Sequence, residues 1–263
     1  MHAESLHRFP NEATSAGSTA YYVCLLSPKT IRDDLAALYL FRHELEKLYA
    51  ISDPGVARMK LQWWHQQIQL PVDQPSVHPL ARQLSLYYHQ NTNTRLFDHL
   101  ISAFDNRLHR LPLSDVDAYW QACINSGGAF GQLLNNLSNR ILSDDKAKMY
   151  GAIIQHIVWL QNLGKLLRQR INLIPRENLE KHRLVLEQLI LPEKKAQVSV
   201  LLHELQQQIE EHYNLSACQR GKTPLQKNFS ISCRLLKLLK KEDFDVIQQR
   251  IALTPLSKLW FAR

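Results

Sequence analysis

Apolar residues recur along this chain at intervals of three and four, the spacing that gathers side chains on one face of an α-helix. After Ser27-Pro28 come Ile31, Leu35, Leu38, Leu45 and Leu48 on one stripe. Pro28 suits a helix start, because its missing N–H would have no intrahelical partner there. Asp53-Pro54 predicts an N-cap followed by a first-turn proline. The helix they open carries Ala57, Leu61, Trp64 and Ile68. Pro71, Pro75 and Pro79 break the pattern, which resumes with Leu80, Leu84 and Tyr87, then with Phe97, Ile101, Phe104 and Leu108. A segment opening at Ser114 contains the Gly-rich break Gly127-Gly128. Further stripes run through Ile153, Ile157, Leu160, Gly164 and Leu167, and, beyond Pro192, through Val198, Leu201, Leu205 and Ile209. The last begins at Ile231, Leu235 and Leu238. Strand-like alternation is absent. The expectation is an all-α protein, and the short breaks favour one domain over two. A flexible N-terminal segment is expected over 1–17 and a helical domain over 18–263.

Composition agrees. Glycine is scarce, at 8 of 263 residues, and the abundant Leu, Gln, Lys and Arg lose little side-chain freedom in a helix. Lys and Arg number 32 against 24 Asp and Glu, a net charge of +8. That balance favours anionic partners such as diphosphates, acidic lipids or an acidic protein surface. Nucleic acid ranks last, since no recognisable binding module accompanies the charge. Cys24, Cys123, Cys218 and Cys233 include no C-x-x-C, which predicts reduced thiols rather than a disulfide framework. No apolar run approaches the ~18 residues of a spanning helix. The opening "MHAESLHRFPNEATSAGS" has neither the apolar core of a signal peptide nor an Arg-rich, acid-poor presequence. The expected location is cytoplasmic, with peripheral membrane contact left open.

The densest cluster of ionisable groups is "RHELEK", Arg42 to Lys47. On a helix only positions three or four apart share a face, and neither Glu44 nor Glu46 has a carboxylate at those offsets. Arg42 with Glu46 and Glu44 with Lys47 predict ordinary intrahelical ion pairs on a solvated face. The stretch is not H-E-x-x-H, because Lys47 stands where a second histidine would be. Asp33-Asp34 and Asp144-Asp145 are explained by helix N-termini. Glu177 and Glu180 follow Pro175, where capping is expected. The twelve histidines show no ligand spacing with Cys or carboxylate. Phosphate-binding glycine loops and nucleophile elbows are also missing.

Several segments, in order, resemble the squalene/phytoene synthase family: "STAYYVCLLSPKTIRDDLAALYLFR", "RMKLQWWHQQI", "GAIIQHIVWLQNLGKLLRQRINLIPRENL" and "TPLSKLWFAR". The resemblance spans roughly Ser18 to Arg263 and implies a terpenoid-synthase-like helical bundle around a central pocket. In active members two helices present aspartates to Mg²⁺, and the ions hold two prenyl diphosphates that are joined head to head. The resemblance puts the first motif at Glu46, Lys47 and Ala50, where one acid remains. It puts the second at Asn162, Lys165 and Leu166, where none does. Lysines at those places would repel the cation. No metal ligand, cofactor or catalytic residue is therefore expected, and Mg²⁺ belongs only to the enzyme reading.

Glu44-Leu45, the element Lys60, Gln62, Trp63 and Trp64, and "LLKKEDFD" ending at Asp245 are similar to a branch that has lost the aspartates. That branch comprises the phytoene-synthase-like assembly factors of respiratory complex I and their bacterial relatives. The resemblance implies a non-catalytic protein acting through a protein partner or an isoprenoid lipid. Trp63-Trp64 and "LSKLWFAR" are candidate contact surfaces. The alternative is a divergent prenyl-diphosphate transferase, or a metal-independent binder in which Lys47, Lys165, Arg168 and Arg170 meet phosphate. Tyr21, Tyr22, Tyr39 and Phe41 would then line the pocket.

Overall fold

A helix that is apolar on every side belongs in the middle of a bundle. The computed structural model, which describes residues 8–90, 93–213 and 221–263, builds its centre on the helix Asp144–Gln161, which is buried on nearly every side from Tyr150 onward. Gly151, Ala152, Ile153, Ile154, Gln155, His156 and Ile157 are buried in succession along it. In chain order the helices are α1 (Thr19–Leu25), α2 (Lys29–Lys47), α3 (Pro54–Gln69), α4 (Pro79–Tyr88), α5 (Asn93–Leu108) and α6 (Val116–Cys123). There follow α7 (Ala129–Leu137), the central α8, α9 (Leu163–Arg168), α10 (Arg176–Lys181), α11 (Lys195–Tyr213), α12 (Pro224–Lys241) and α13 (Pro255–Ala262). Among the described residues there is no strand. No helix among them is long and apolar enough to cross a membrane.

Local signals act as the sequence predicts. Asp53 Oδ1 accepts from the Gly55 and Val56 N–H groups, and Pro54 occupies the first turn of α3. Ala57, Leu61, Trp64 and Ile68 are the residues that α3 buries. Ser143 caps α8 ahead of Asp144 and Asp145, acids that suit the positive end of the helix. Elsewhere the expectation fails. No side chain caps α10, and Glu180 pairs with Arg176 instead. Asp33 and Asp34 lie beyond the first turn of α2, where they accept from Phe9 N and Gln83 Nε2.

Gly127-Gly128 does not break the chain. Residues Ile124–Gly128 form a π-helical turn that joins α6 to α7. The glycines serve close packing: a Cβ on Gly151 would lie 2.0 Å from Gly127 O, and one on Gly127 would lie 2.3 Å from Gly151 O. Helix α8 thus crosses the π turn backbone against backbone. Cys24 and Cys123 are buried free thiols. Cys233 on α12 is disulfide-bonded, a departure from the expectation of reduced thiols at that position.

Candidate functional site

Four residues of α2, Tyr39, Arg42, His43 and Glu46, follow the offsets three, four and seven, so they share a face. That face looks at α8 across two cavities. The inner one, of about 180 Å³, is bordered by Tyr39, Arg42, Ile154, Asn228 and Leu235. The outer cleft, of about 320 Å³, is bordered by Tyr49, Gln155, Trp159, Asn162, Lys165 and Arg250. His43, Glu46 and Val158 line both.

Arg42 lies between the two cavities. Its Nε donates to Glu46 Oε1 at 3.1 Å, and its Nη2 donates to Gln155 Oε1 at 2.7 Å. Ser126 Oγ donates to the same Gln155 oxygen at 3.0 Å. The guanidinium carbon stands 4.8 Å from the Phe130 ring centroid, a cation–π contact that helps hold a buried cation. The Gly127–Gly151 crossing sets this geometry, because Ser126 precedes Gly127 and Gln155 lies one turn beyond Gly151.

Tyr39 accepts from Asn228 Nδ2 at 3.0 Å, and burial pushes its phenol pKa up, so it stays protonated. In the outer cleft Tyr49 stacks on Phe104 at 5.3 Å between centroids. Its phenol is also raised, first by burial and then by the Glu46 carboxylate.

Of the six positions where the resemblance puts the metal motifs, Glu46, Asn162, Lys165 and Leu166 border the outer cleft, and Lys47 and Ala50 do not. Glu46 faces the cavities, but Lys47 turns outward to Glu12 Oε2 and Glu44 Oε1, each at 2.7 Å, and Ala50 is exposed. Lys47 therefore bears on neither a cation nor a phosphate in the cleft. Across it, Asn162 Nδ2 is spent on the Val158 carbonyl at 2.9 Å, Lys165 is an exposed cation, and Leu166 is buried. Among the described residues no group of three His, Cys, Asp or Glu could hold a metal. One carboxylate already paired with Arg42 does not fit Mg²⁺, a hard ion that takes several oxygens.

Of the pocket candidates, Tyr39 and Lys165 line a cavity. Phe41 is buried in the core between Trp64 and Phe97, with centroids 5.7 Å from each. Tyr21 and Tyr22 pack edge to face on one another, and Tyr21 meets Phe9 at 5.4 Å. Arg168 Nη2 is committed to the Ile247 carbonyl, and Arg170 sits in the left-handed region at φ 60° just after α9. The solvated-face reading of "RHELEK" holds for Glu44, Glu46 and Lys47 and fails for Arg42. Arg42 is 8% exposed and borders the inner cavity, as His43 and Glu46 also do. Sequence reasoning also missed Gln155 and Arg250. A signal for Gln155 was present: it lies seven positions before Asn162, on the face of α8 that leads to that residue.

A search of curated proteins finds no match. Among solved structures the chain is similar to a dehydrosqualene synthase crystallised in complex with ligand, at 15% identity and a TM-score of 0.72. The similarity covers 93% of this chain and 89% of that one. It is also similar to YisP from Bacillus subtilis strain 168, at 18% identity, a TM-score of 0.59 and the same coverage of 93% and 89%. Identities this low speak for the all-α fold alone. The squalene/phytoene synthase family matches residues 13–257, and the chain belongs to that family.

Proposed function

We propose that this member of the squalene/phytoene synthase family binds one isoprenoid diphosphate or related lipid phosphate without Mg²⁺ and does not couple two of them. One observation carries the reading: Glu46 and Asn162 face each other across the outer cleft with a single carboxylate between them, while Lys165 and Arg250 border the same space. Cationic side chains bind phosphate oxygens directly through charge-assisted hydrogen bonds. Tyr49, Phe104, Trp159 and Leu166 offer the adjoining apolar wall for an isoprenoid chain. A cleft of about 320 Å³ lies at the lower end of the range for ligand pockets. With no metal to neutralise a departing diphosphate, the coupling chemistry of active relatives lacks its main electrostatic support. The alternative of a divergent transferase would need a metal held by residues other than those of the two motifs.

A second reading is contact with a protein, of which respiratory-complex assembly is the instance implied by the similarity to the aspartate-lacking branch. Met59 and Trp63, one turn apart on α3, are 66% and 40% exposed. Met59 borders a groove of about 680 Å³ between α3 and α5. Trp64, by contrast, is core. Leu256 and Trp260 on α13 are exposed as well, which keeps peripheral membrane contact as a further use of the surface.

The test is thermal stabilisation by farnesyl diphosphate with and without Mg²⁺, since a ligand that binds only the folded state raises its stability. The expected result is an equal shift in both. A shift that needs Mg²⁺ overturns the metal-independent reading, and no shift in either leaves the protein-contact reading.

A further inference from the structure

Residues 8–17, read from sequence as a flexible lead-in, lie bonded along α2. Phe9 N donates to Asp33 Oδ1 at 3.2 Å, and Asn11 Nδ2 donates to the Ala36 carbonyl at 3.0 Å. Asn11 and Thr14 bond each other reciprocally in a tight turn, and Thr14 is fully buried. That turn carries Ala13 into the wall of the inner cavity. Glu12 lies beside it, with Oε1 3.2 Å from His43 Nε2 and Oε2 2.7 Å from Lys47 Nζ. His43 lines both cavities, so Glu12 holds the segment down at the point where the two meet.

The segment ends at Gly17, whose φ of 89° is one that L side chains rarely adopt. No atom approaches within 4 Å of where a Cβ would stand there, and the next residue, Ser18, already caps α1. A swing at Gly17 leaves Ser18 on α1 and has to work against the bond that Lys258 Nζ donates to the Gly17 carbonyl at 2.6 Å. The ion-pair part of the attachment is weak, although Phe9, Asn11 and the buried Thr14 hold the segment elsewhere. Glu12 is mostly exposed, so its pairs are screened by solvent, and Lys47 keeps Glu44 as a partner after release. Local openings of this kind cost far less than unfolding.

We propose that residues 8–17 form a lid over the inner cavity, hinged at Gly17 and latched by Glu12 on His43 and Lys47, whose opening admits an apolar isoprenoid tail. The identity of the tail rests on the proposed isoprenoid binding; the opening of the lid does not. A ligand-free experiment separates them. In the full-length protein, Ile154→Cys puts a thiol in the cavity wall, at a position 4% exposed. Iodoacetamide labelling is then followed at each cysteine by mass spectrometry. Leu235→Cys, on α12 in the same lining, serves as a second reporter. Buried Cys123, which lines neither cavity, reports global unfolding. Adding Glu12→Gln is expected to speed labelling of either reporter by about two- to fivefold, the effect of losing an exposed ion pair. Glu12→Lys should speed it further by repelling Lys47, and added salt should accelerate the parent but not the Glu12→Gln form. The lid is overturned if Glu12→Gln leaves the reporter rates unchanged, or if Cys123 accelerates in step with them.

Discussion

Arg42 Nη2 donates to Gln155 Oε1 at 2.7 Å, tying α2 to α8 through the interior between two cavities. A buried cation that loses one partner costs more than the bond itself, because the charge stays behind. Gln155→Leu is expected to lower the unfolding free energy by about 2 kcal/mol. Arg42→Met removes the charge together with its need for partners, and it frees Glu46, which is well exposed to water. It should cost less than Gln155→Leu. Urea unfolding of the two variants checks the order, and the reverse order would mean that the ion pair with Glu46 matters more than the bond to Gln155.

The crossing of α8 over the π turn has no room for a methyl group. Gly151→Ala would put a Cβ 2.0 Å from Gly127 O, and backbone on both sides cannot yield as a flexible side chain would. The expected loss is about 3 kcal/mol, at the upper end for overpacking. Equilibrium unfolding followed by circular dichroism measures it, and a loss under about 1 kcal/mol would show that the two backbones separate easily.

These two sites mark how far the sequence could be read. The α3 cap at Asp53, the buried stripe from Ala57 to Ile68, and the Arg42–Glu46 and Glu44–Lys47 pairs depend on neighbours within one or two turns, and all were legible. The inward aim of Arg42 was not, because its decisive partner lies 113 residues away on α8. Gly127-Gly128 looked like a break for a similar reason. Glycine weakens an isolated helix, and only the distant Gly151 explains why it is kept within one. The family resemblance supplied the bundle and the two facing helices. It misdirected Lys47, since a motif position does not say which way a side chain turns at a helix end. It also could not distinguish Phe41, a core ring, from Tyr39, a cavity ring, two positions apart on α2.

The chain often ends its helices without the usual glycine. Arg183, just after α10, sits at φ 51°, and the bond from Leu184 N to Leu179 O closes the helix end around it. A side chain in that conformation is strained, and glycine is not. Arg183 is exposed and is in no ion pair among the described residues. Arg183→Gly is expected to raise stability by about 0.5 to 1 kcal/mol despite the greater freedom that glycine gives the unfolded chain. A higher urea midpoint at unchanged slope is the outcome sought; a lower midpoint would mean that the Arg183 side chain contributes more than its strain costs.

Lys165 and Arg250 border the outer cleft, and neither is in an ion pair among the described residues. Reversing either charge should leave the folded state nearly as stable, within about 0.5 kcal/mol, as is usual for surface changes. Lys165→Glu and Arg250→Glu are each expected to abolish most of the stabilisation by farnesyl diphosphate measured without Mg²⁺. Inorganic diphosphate in place of the prenyl compound tests the head-group contact alone. Full retention of the shift in both variants would move the phosphate elsewhere on the protein.

Acid should weaken the fold through one histidine in particular. His156 is completely buried on α8, with Nδ1 2.7 Å from the Tyr119 hydroxyl and Nε2 2.9 Å from Gln206 Oε1. Burial lowers its pKa from 6.5 to about 4, opposed in part by the Gln206 bond and by Glu210, while Lys240 adds to the lowering. The folded protein thus refuses a proton that the unfolded chain accepts below pH 6.5. The contribution to stability is fully present above that pH and is lost as pH falls towards 4, at about 1.4 kcal/mol per pH unit. Between pH 7 and pH 4.5 His156 alone should account for about 2 to 3 kcal/mol of the loss. His156→Gln, uncharged at both pH values, should narrow the gap between the two urea-unfolding free energies by that amount, even where it lowers both. Carboxylates with depressed pKa values, such as Glu204 beside Lys181 and His182, lose their contribution mainly at lower pH. An unchanged gap in His156→Gln would place the acid sensitivity with those surface pairs instead.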